Sequence, residues 1–306
     1  MLGVIGDVVQ DIVVWLEEPL RPATDTKSAI TMNRGGSAAN VAAFAGPRYP
    51  TRFIGCVGED LGGFVVTKEL ESHGVDVHME QHGTTGMIVV LINEDGERMM
   101  FPSRGASALL EPVEPELLED VELLHITGYS LQSEPTASSV LDAAKRVKAN
   151  GGQLSFDVSS TGMIDLYGLD KFRAIMRDMD PDFITANEDE TAMLELTGPD
   201  GPGPFLKELD PTTVLLARAG KNPTRVFRGA ELMFEVPVPP VDEVRDMTGA
   251  GDAFNAGFLS SWLSHHDLRQ AVEDAHTVAQ RVLRSPGATE PDDADASASP
   301  SGAEEK

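Results

Sequence analysis

One stretch near the C-terminal end, Asp246-Met247-Thr248-Gly249-Ala250-Gly251-Asp252-Ala253-Phe254-Asn255-Ala256-Gly257-Phe258, carries residue types suited to phosphoryl chemistry. Two glycines bracket a small residue, an aspartate follows, and an apolar run with helical spacing begins. This pattern reads as a loop that turns into a helix N-terminus. Gly249 and Gly251 allow positive φ and a close ligand approach. The first N–H groups of a helix lack intrahelical partners, and the dipole there favours an anion. Gly249, Ala250 and Gly251 could therefore hold a phosphate or the charge of a phosphoryl transition state. Asp252 is a poor phosphate ligand, because like charges repel. It is well suited to take the proton of a hydroxyl that attacks a phosphoryl group. The plainer alternative is a tight turn with Asp252 as helix cap.

Such a site needs a scaffold, and the chain alternates strand-like and helix-like runs. Residues 2–16 read as a buried strand whose end carries Asp7 and Asp11. Arg34-Gly35-Gly36-Ser37-Ala38-Ala39-Asn40 reads as a Gly-Gly turn opening an Ala-rich helix, with Ser37 as N-cap and Asn40 on the first turn. Residues 51–58 follow as a strand and 61–73 as a helix ending at Gly74. Residues 84–104 break the rhythm: two β runs flank Asn93-Glu94-Asp95-Gly96, a hairpin signal. With residues 12–34 this hairpin could form a small sheet that acts as a lid. The alternation then resumes through strands at 121–126, 154–158, 182–185 and 213–216, a helix over 134–149, and another opened by Asn187-Glu188-Asp189-Glu190. Two shorter β runs follow near Val226 and over 232–236. Helices over 249–264 and 267–284 end the folded part.

This pattern predicts an α/β fold with a mostly parallel central sheet covered on both faces. Ligands in such sheets collect at the carboxyl ends of strands, where Asp11, Gly35, Gly36, Asp157, Asn187 and Asp252 could converge. Residues 286–306 lack large apolar side chains and read as a disordered acidic tail.

The 306 residues carry a formal charge of −26, which argues against nucleic acid or an anionic membrane as partner. It leaves room for an anionic substrate. The single cysteine, Cys56, excludes an internal disulfide and sits in an apolar run as a buried thiol. No basic leader or membrane-length apolar run is present, so the protein is expected to be cytoplasmic.

The Gly35-Gly36-Ser37-Ala38-Ala39-Asn40 turn and the Asp246 to Phe254 stretch resemble the two signatures of the ribokinase-like (PfkB) carbohydrate kinases. The resemblance extends over about residues 2–288. It implies a three-layer α/β/α sandwich with a small β-sheet lid, formed by residues 1–288, with 289–306 as the tail. It implies ATP-dependent phosphorylation of a hydroxymethyl group, an alcohol acceptor, on a small sugar. Asp252 would be the base and Gly249, Ala250 and Gly251 the anion hole. Asp11, Gly35, Gly36 and Asn40 would bind substrate hydroxyls, and Arg104 could reach the substrate or the transferred phosphate. Asn187 and Glu190 match an Asn-x-x-Glu element that helps place Mg²⁺, with Glu190 acting indirectly. Arg218 and Gly220 fall in the nucleotide-side element Ala217 to Pro223, which lacks the usual Gly-x-x-Gly pattern, and His276 would lie near the nucleotide base. Asp246 and Thr248, with Ser285 and Gly287, lie where some relatives bind K⁺. A homodimer through the lid is also implied.

Each role has a plainer counterpart: a first-turn helix acid for Glu190, a helix-face histidine for His276 and a surface residue for Arg104. A nucleoside kinase for adenosine, cytidine or pseudouridine would use the same constellation. A non-catalytic sugar- or nucleotide-binding protein would have no need of Asp252.

Overall fold

The computed structural model describes residues 1–95, 97–198, 201–285 and 287–291. Beyond Pro291 the expected acidic tail lies outside the described residues, as does Gly96 of the hairpin turn. Strand β1 (Leu2–Ile5) is followed by β2 (Val9–Leu16), β3 (Ser28–Gly35) and helix α1 (Ser37–Ala45). Next come β4 (Thr51–Val57), α2 (Leu61–Ser72), β5 (Asp76–Gln81), β6 (Gly86–Ile92) and β7 (Arg98–Ser103). The chain continues through β8 (Leu123–Thr127), α3 (Thr136–Ala149), β9 (Gln153–Asp157), α4 (Thr161–Tyr167), α5 (Leu169–Met179), β10 (Phe183–Ala186) and α6 (Glu188–Met193). A short ribbon of β11 (Thr197–Gly198) and β12 (Gly201–Pro202) precedes β13 (Val214–Ala219), β14 (Asn222–Arg228) and β15 (Glu231–Val236). Helices α7 (Ala250–His265) and α8 (Leu268–Leu283) complete the order.

Among the described residues the main sheet has the order β15-β14-β13-β10-β9-β8-β1-β4-β5. It is parallel from β13 to β5, and β14 and β15 add an antiparallel edge. Side chains of a strand alternate between faces, and the core divides accordingly. Val4, Phe53, Leu123, Phe183, Val214 and Leu216 pack with α1, α2, α7 and α8. Ile5, Ile54, Leu124, Phe156, Ile184 and Leu215 pack with α3, α4 and α5 on the other face. The result is the expected α/β/α sandwich. Helix α7 is buried almost all round, and Gly257 lets α8 approach it: an added Cβ would stand 2.8 Å from Ala275 Cα. Among the described residues no helix is long and apolar enough to cross a membrane.

Residues 2–16 are two strands in two sheets, not one. The break falls at Gly6, whose φ of +138° few other residues would tolerate. After it the chain leaves the main sheet for a second sheet of order β3-β2-β6-β7. This is the lid. It enters as 9–35 and 86–103, slightly offset from the expected 12–34 and 84–104. Strand β5 and helices α4 and α5 had no distinct signal in the sequence.

The register gives the lid two unlike faces. On one, Met32, Ile12, Val89 and Phe101 form a row across the sheet, beside a row of Ile30, Val14, Leu91 and Met99. On the other lie Asp11, Val13, Trp15, Val90, Ile92, Met100 and Arg98. These last seven line a cleft of about 270 Å³ together with Asp246, Thr248, Gly287 and Ala288.

Candidate active site

The first turns of α1 and α7 meet, and their side chains bond across the gap. Asp252, third residue of α7, accepts from the Ser37 hydroxyl on Oδ1 at 2.6 Å and from Asn40 Nδ2 on Oδ2 at 2.8 Å. Burial pushes the Asp252 carboxyl up to about 7, against the lowering effect of those two bonds, and the nearby charges of Asp157 and Asp7 push the same way as burial. A carboxylate poised there is well matched to taking a proton near neutral pH.

The start of α1 is built differently from the sequence expectation. Ser37 is not the N-cap. Gly36 holds that position with φ of +94°, and an added Cβ there would stand 2.6 Å from the Asp7 carbonyl. Asp7 does the capping from the end of β1, accepting from the Ser37 amide at 2.8 Å and the Ala38 amide at 3.3 Å, while Thr127 holds its Oδ1 at 2.9 Å. With its amide satisfied from outside, Ser37 has its hydroxyl free for Asp252. Asp252 was legible as a site residue but its Ser37 partner was not, because the bond spans 215 positions in sequence.

The start of α7 has no side-chain cap, and the Ala250 amide donates to the Met247 carbonyl at 3.3 Å. Its N-cap, Gly249, has φ of +77°. This is the geometry expected of an anion site. Gly251 leaves room for Arg218, whose Nη1 would be 2.6 Å from an added Cβ. Arg218 also bonds Asp157 Oδ1 at 2.9 Å, and Thr185 donates to the same oxygen at 2.8 Å. The guanidinium thus stands against the Gly249–Gly251 turn.

Asn187 and Glu190 form a capping box on α6. The Asn187 amide nitrogen and side chain donate to the two Glu190 oxygens at 2.8 and 2.7 Å, and Asn187 Oδ1 accepts from the Glu190 amide at 2.9 Å. Burial and the Asp157 charge push the Glu190 carboxyl upward, opposed by Arg218. With both oxygens engaged, Glu190 fits magnesium only through water, as an ion that keeps several waters allows. Among the described residues no cluster of His, Cys, Asp and Glu forms a direct metal site.

Near the start of the small sheet, Asp11 Oδ1 is buried and has no hydrogen-bond partner among the described residues. Burial raises this carboxyl to about 6, while Arg34 and Arg104 pull it down and Asp7 pushes it up. Gly35 sits directly beneath it, since an added Cβ would meet the Asp11 carboxylate at 2.2 Å. Arg34 is 2% exposed and bonds Asn40 Oδ1 through Nη1 and the Ala288 carbonyl through Nη2 at 3.2 Å. Arg104 lies over the Tyr129 ring at 5.1 Å with its Nε buried and unpartnered.

The remaining expected residues are held as follows. Gly220 adopts φ of +57° in the β13–β14 turn with open space around it. His276 is 4% exposed, bonded to Thr224 at 2.8 Å and packed on Phe254, so its ring meets protein rather than solvent. Asp246 and Thr248 do not present free oxygens to K⁺: Arg98 of the lid bonds both, at 2.8 and 3.0 Å. Nothing in the sequence marked Arg98.

The sequence profile of the pfkB family carbohydrate kinases matches residues 1–295. An ATP-dependent ribose-1-phosphate kinase from Halopiger xanaduensis is 29% identical over 289 residues, covering 90% of each chain. Among solved structures, an adenosine kinase from Sinorhizobium meliloti superposes with a TM-score of 0.82 at 23% identity, covering 95% of each chain. A putative ribokinase II from E. coli in complex with ATP and Mg²⁺ gives 0.78 at 24% identity over 94% of each.

The two bonds on Asp252 can be tested without any substrate. In Ser37→Ala, loss of one donor to the carboxylate should raise the Asp252 titration above its wild-type midpoint of about 7. Carboxyl ¹³C NMR, with Asp252→Asn identifying the signal, would read the shift. A midpoint that stays put or falls would count against the Ser37 bond.

Proposed function

The chain belongs to the pfkB family of carbohydrate kinases, and on that premise we propose that it phosphorylates a hydroxymethyl group of a small sugar. The observation that carries this reading is the Asp252 carboxylate, held by Ser37 and Asn40 beside an uncapped helix N-terminus. ATP, with Mg²⁺, supplies the phosphoryl group. Asp252 takes the proton of the attacking hydroxyl. The N–H groups of the Gly249–Gly251 turn and the Arg218 guanidinium face the charge that develops on the transferred group, where fixed donors are most effective. Asn187 and Glu190 would hold the magnesium through its water shell, and the ion would offset charge on the phosphates. Open space around Gly220 suits the nucleotide side of the site.

Asp11, with an unsatisfied buried acceptor, receives substrate hydroxyls. Arg104, cationic and without a bond to its Nε, suits a substrate that also carries a phosphate. The likeness to a ribose-1-phosphate kinase supports placing a phosphosugar first among the candidates. A second reading, a nucleoside kinase, is favoured by one feature: Val13, Trp15, Val90, Ile92 and Met100 give the cleft an apolar wall that could take a base.

The outer face of the lid is the proposed contact with a second copy. Met32, Ile30, Phe101 and Met99 are 64%, 59%, 56% and 46% exposed there. Light scattering should report a dimer, and Met32→Asp should dissociate it. A monomeric wild type would remove this proposal.

Asp252→Asn should leave substrate binding nearly intact and lower turnover by ~10²–10⁴, the range of acid–base groups. Because the base must be deprotonated, kcat/KM should rise with pH through about 7 and level off above it. Near-normal turnover in the variant would sink the assignment. The substrate is found by following ADP release with Mg-ATP and ribose-1-phosphate, ribose, fructose or a nucleoside. Activity only with nucleosides selects the second reading. Silence throughout, with calorimetric binding of a sugar or nucleotide, would point to a binding protein instead.

A further inference from the structure

Two of the side chains that the family resemblance offers to a monovalent cation, Asp246 and Thr248, are already matched to a charge of the protein's own. Asp246 Oδ1 accepts from Arg98 Nη2 at 2.8 Å, from the Thr248 amide at 2.9 Å and from the Thr248 hydroxyl at 2.8 Å. Its Oδ2 accepts from the Gly287 amide at 2.9 Å. The Thr248 hydroxyl oxygen, having donated to Asp246, accepts from Arg98 Nη1 at 3.0 Å. Three donors saturate Oδ1, and a free cation on this carboxylate would face the guanidinium at short range, where like charges repel. Potassium does not fit these side chains.

We infer that Arg98 is the fixed cation of this loop: it replaces a monovalent ion and ties the anion-hole turn to the lid. Asp246 is 7% exposed, so its charge needs a partner far more than a surface carboxylate does. Its bond to the Thr248 amide fixes the residue immediately before Gly249, where the backbone turns at φ of +77° into α7. Arg98 begins β7, the edge strand of the lid, 148 positions away in sequence. Its fork reaches two acceptors at once, a geometry that arginine holds and a spherical ion does not impose. A diffusible ion could neutralise Asp246 whether the lid were open or closed. Arg98 does so only when β7 is seated over the cleft. The charge that steadies the turn therefore arrives together with the cover over the substrate. Arg98 is a positioning residue acting through Asp246 and Thr248, and this role rests on the kinase reading given above.

Two measurements test it, both on the full chain at constant ionic strength, because a protein of charge −26 responds to salt in general. The first is thermal unfolding without substrate in potassium, sodium or choline chloride. The wild type should melt alike in all three, and Arg98→Ala, with Asp246 uncovered, should gain a rise specific to potassium. The second is turnover. The wild type should run equally well in potassium and choline salts. Arg98→Ala should lose about tenfold or more, on the scale of a misplaced catalytic turn, and recover with added potassium or guanidinium ion. Arg98→Lys, which keeps the charge but not the fork, should fall between them and serves if the alanine variant does not fold. A potassium-specific rise in wild-type melting or turnover would overturn the inference. So would Arg98→Ala at wild-type speed, or a loss that no cation restores. If the wild type transfers phosphate to nothing, the kinase reading fails, and the melting comparison still decides whether Arg98 holds the cation's place.

Discussion

The site depends on keeping one carboxylate buried without neutralising it. Burial drives Asp252 toward the protonated acid, and the acids around it, Asp157 and Asp7, push the same way. The two hydrogen bonds that resist both come from α1, and the Arg34 charge acts in the same sense. Ser37 can donate because its amide is already held by Asp7. Asn40 can donate because Arg34 occupies its Oδ1, which fixes the amide so that Nδ2 faces Asp252. Each donor is therefore set by a buried charge behind it. The two helices differ by design of the loop before them. Asp7 closes the N-terminus of α1, and Gly249 leaves that of α7 without a side-chain cap. A side-chain cap on α7 would occupy the donors an incoming anion needs.

Charge is distributed to match. The chain has 50 acidic residues and 24 basic ones, yet Arg34, Arg98, Arg104 and Arg218 all stand at or around the cleft. Each is arginine rather than lysine. A guanidinium stays charged when buried, sheds water more readily and divides its donors between two acceptors. Arg98 does this between Asp246 and Thr248, whereas Arg218 gives one nitrogen to Asp157 and lays another against Gly251. An acidic surface is compatible with paired charges at the site because screening confines the surface charge to a short range.

What the sequence made legible was local. Gly249 to Asp252 declared a turn and a helix start, alternation of apolar runs declared a parallel sheet, and the Asn93-Glu94-Asp95 turn declared a hairpin. What it hid was reciprocal and long-range. Ser37 after two glycines looks like a cap, and only the arrival of Asp7 from β1 makes it a ligand of Asp252. The apolar runs of residues 2–16 look like one strand, because a single glycine at Gly6 is enough to send the chain into another sheet. His276 reads from sequence as a neighbour of the nucleotide base or a helix-face histidine, and its place between Thr224 of β14 and Phe254 of α7 comes from contacts distant in sequence. Arg98 had no local pattern at all.

The lid shows why such long-range facts are nevertheless tightly specified. In a strand, a slip of one residue moves every side chain to the opposite face. Here one face carries Asp11, Trp15, Met100 and Arg98 toward the cleft, and the other carries Ile30, Met32, Met99 and Phe101 outward. A slip in β7 would withdraw Arg98 from Asp246 and turn Met99 into the cleft in place of Met100. Strand β2 is pinned at its start by leaving the main sheet just after Asp7, and β3 is pinned at its end by running directly into Gly36 and α1. The register of the lid is thus fixed from the same two points that cap α1 and hold Asp252. The Asp252 carboxylate and the small sheet are positioned by one piece of backbone.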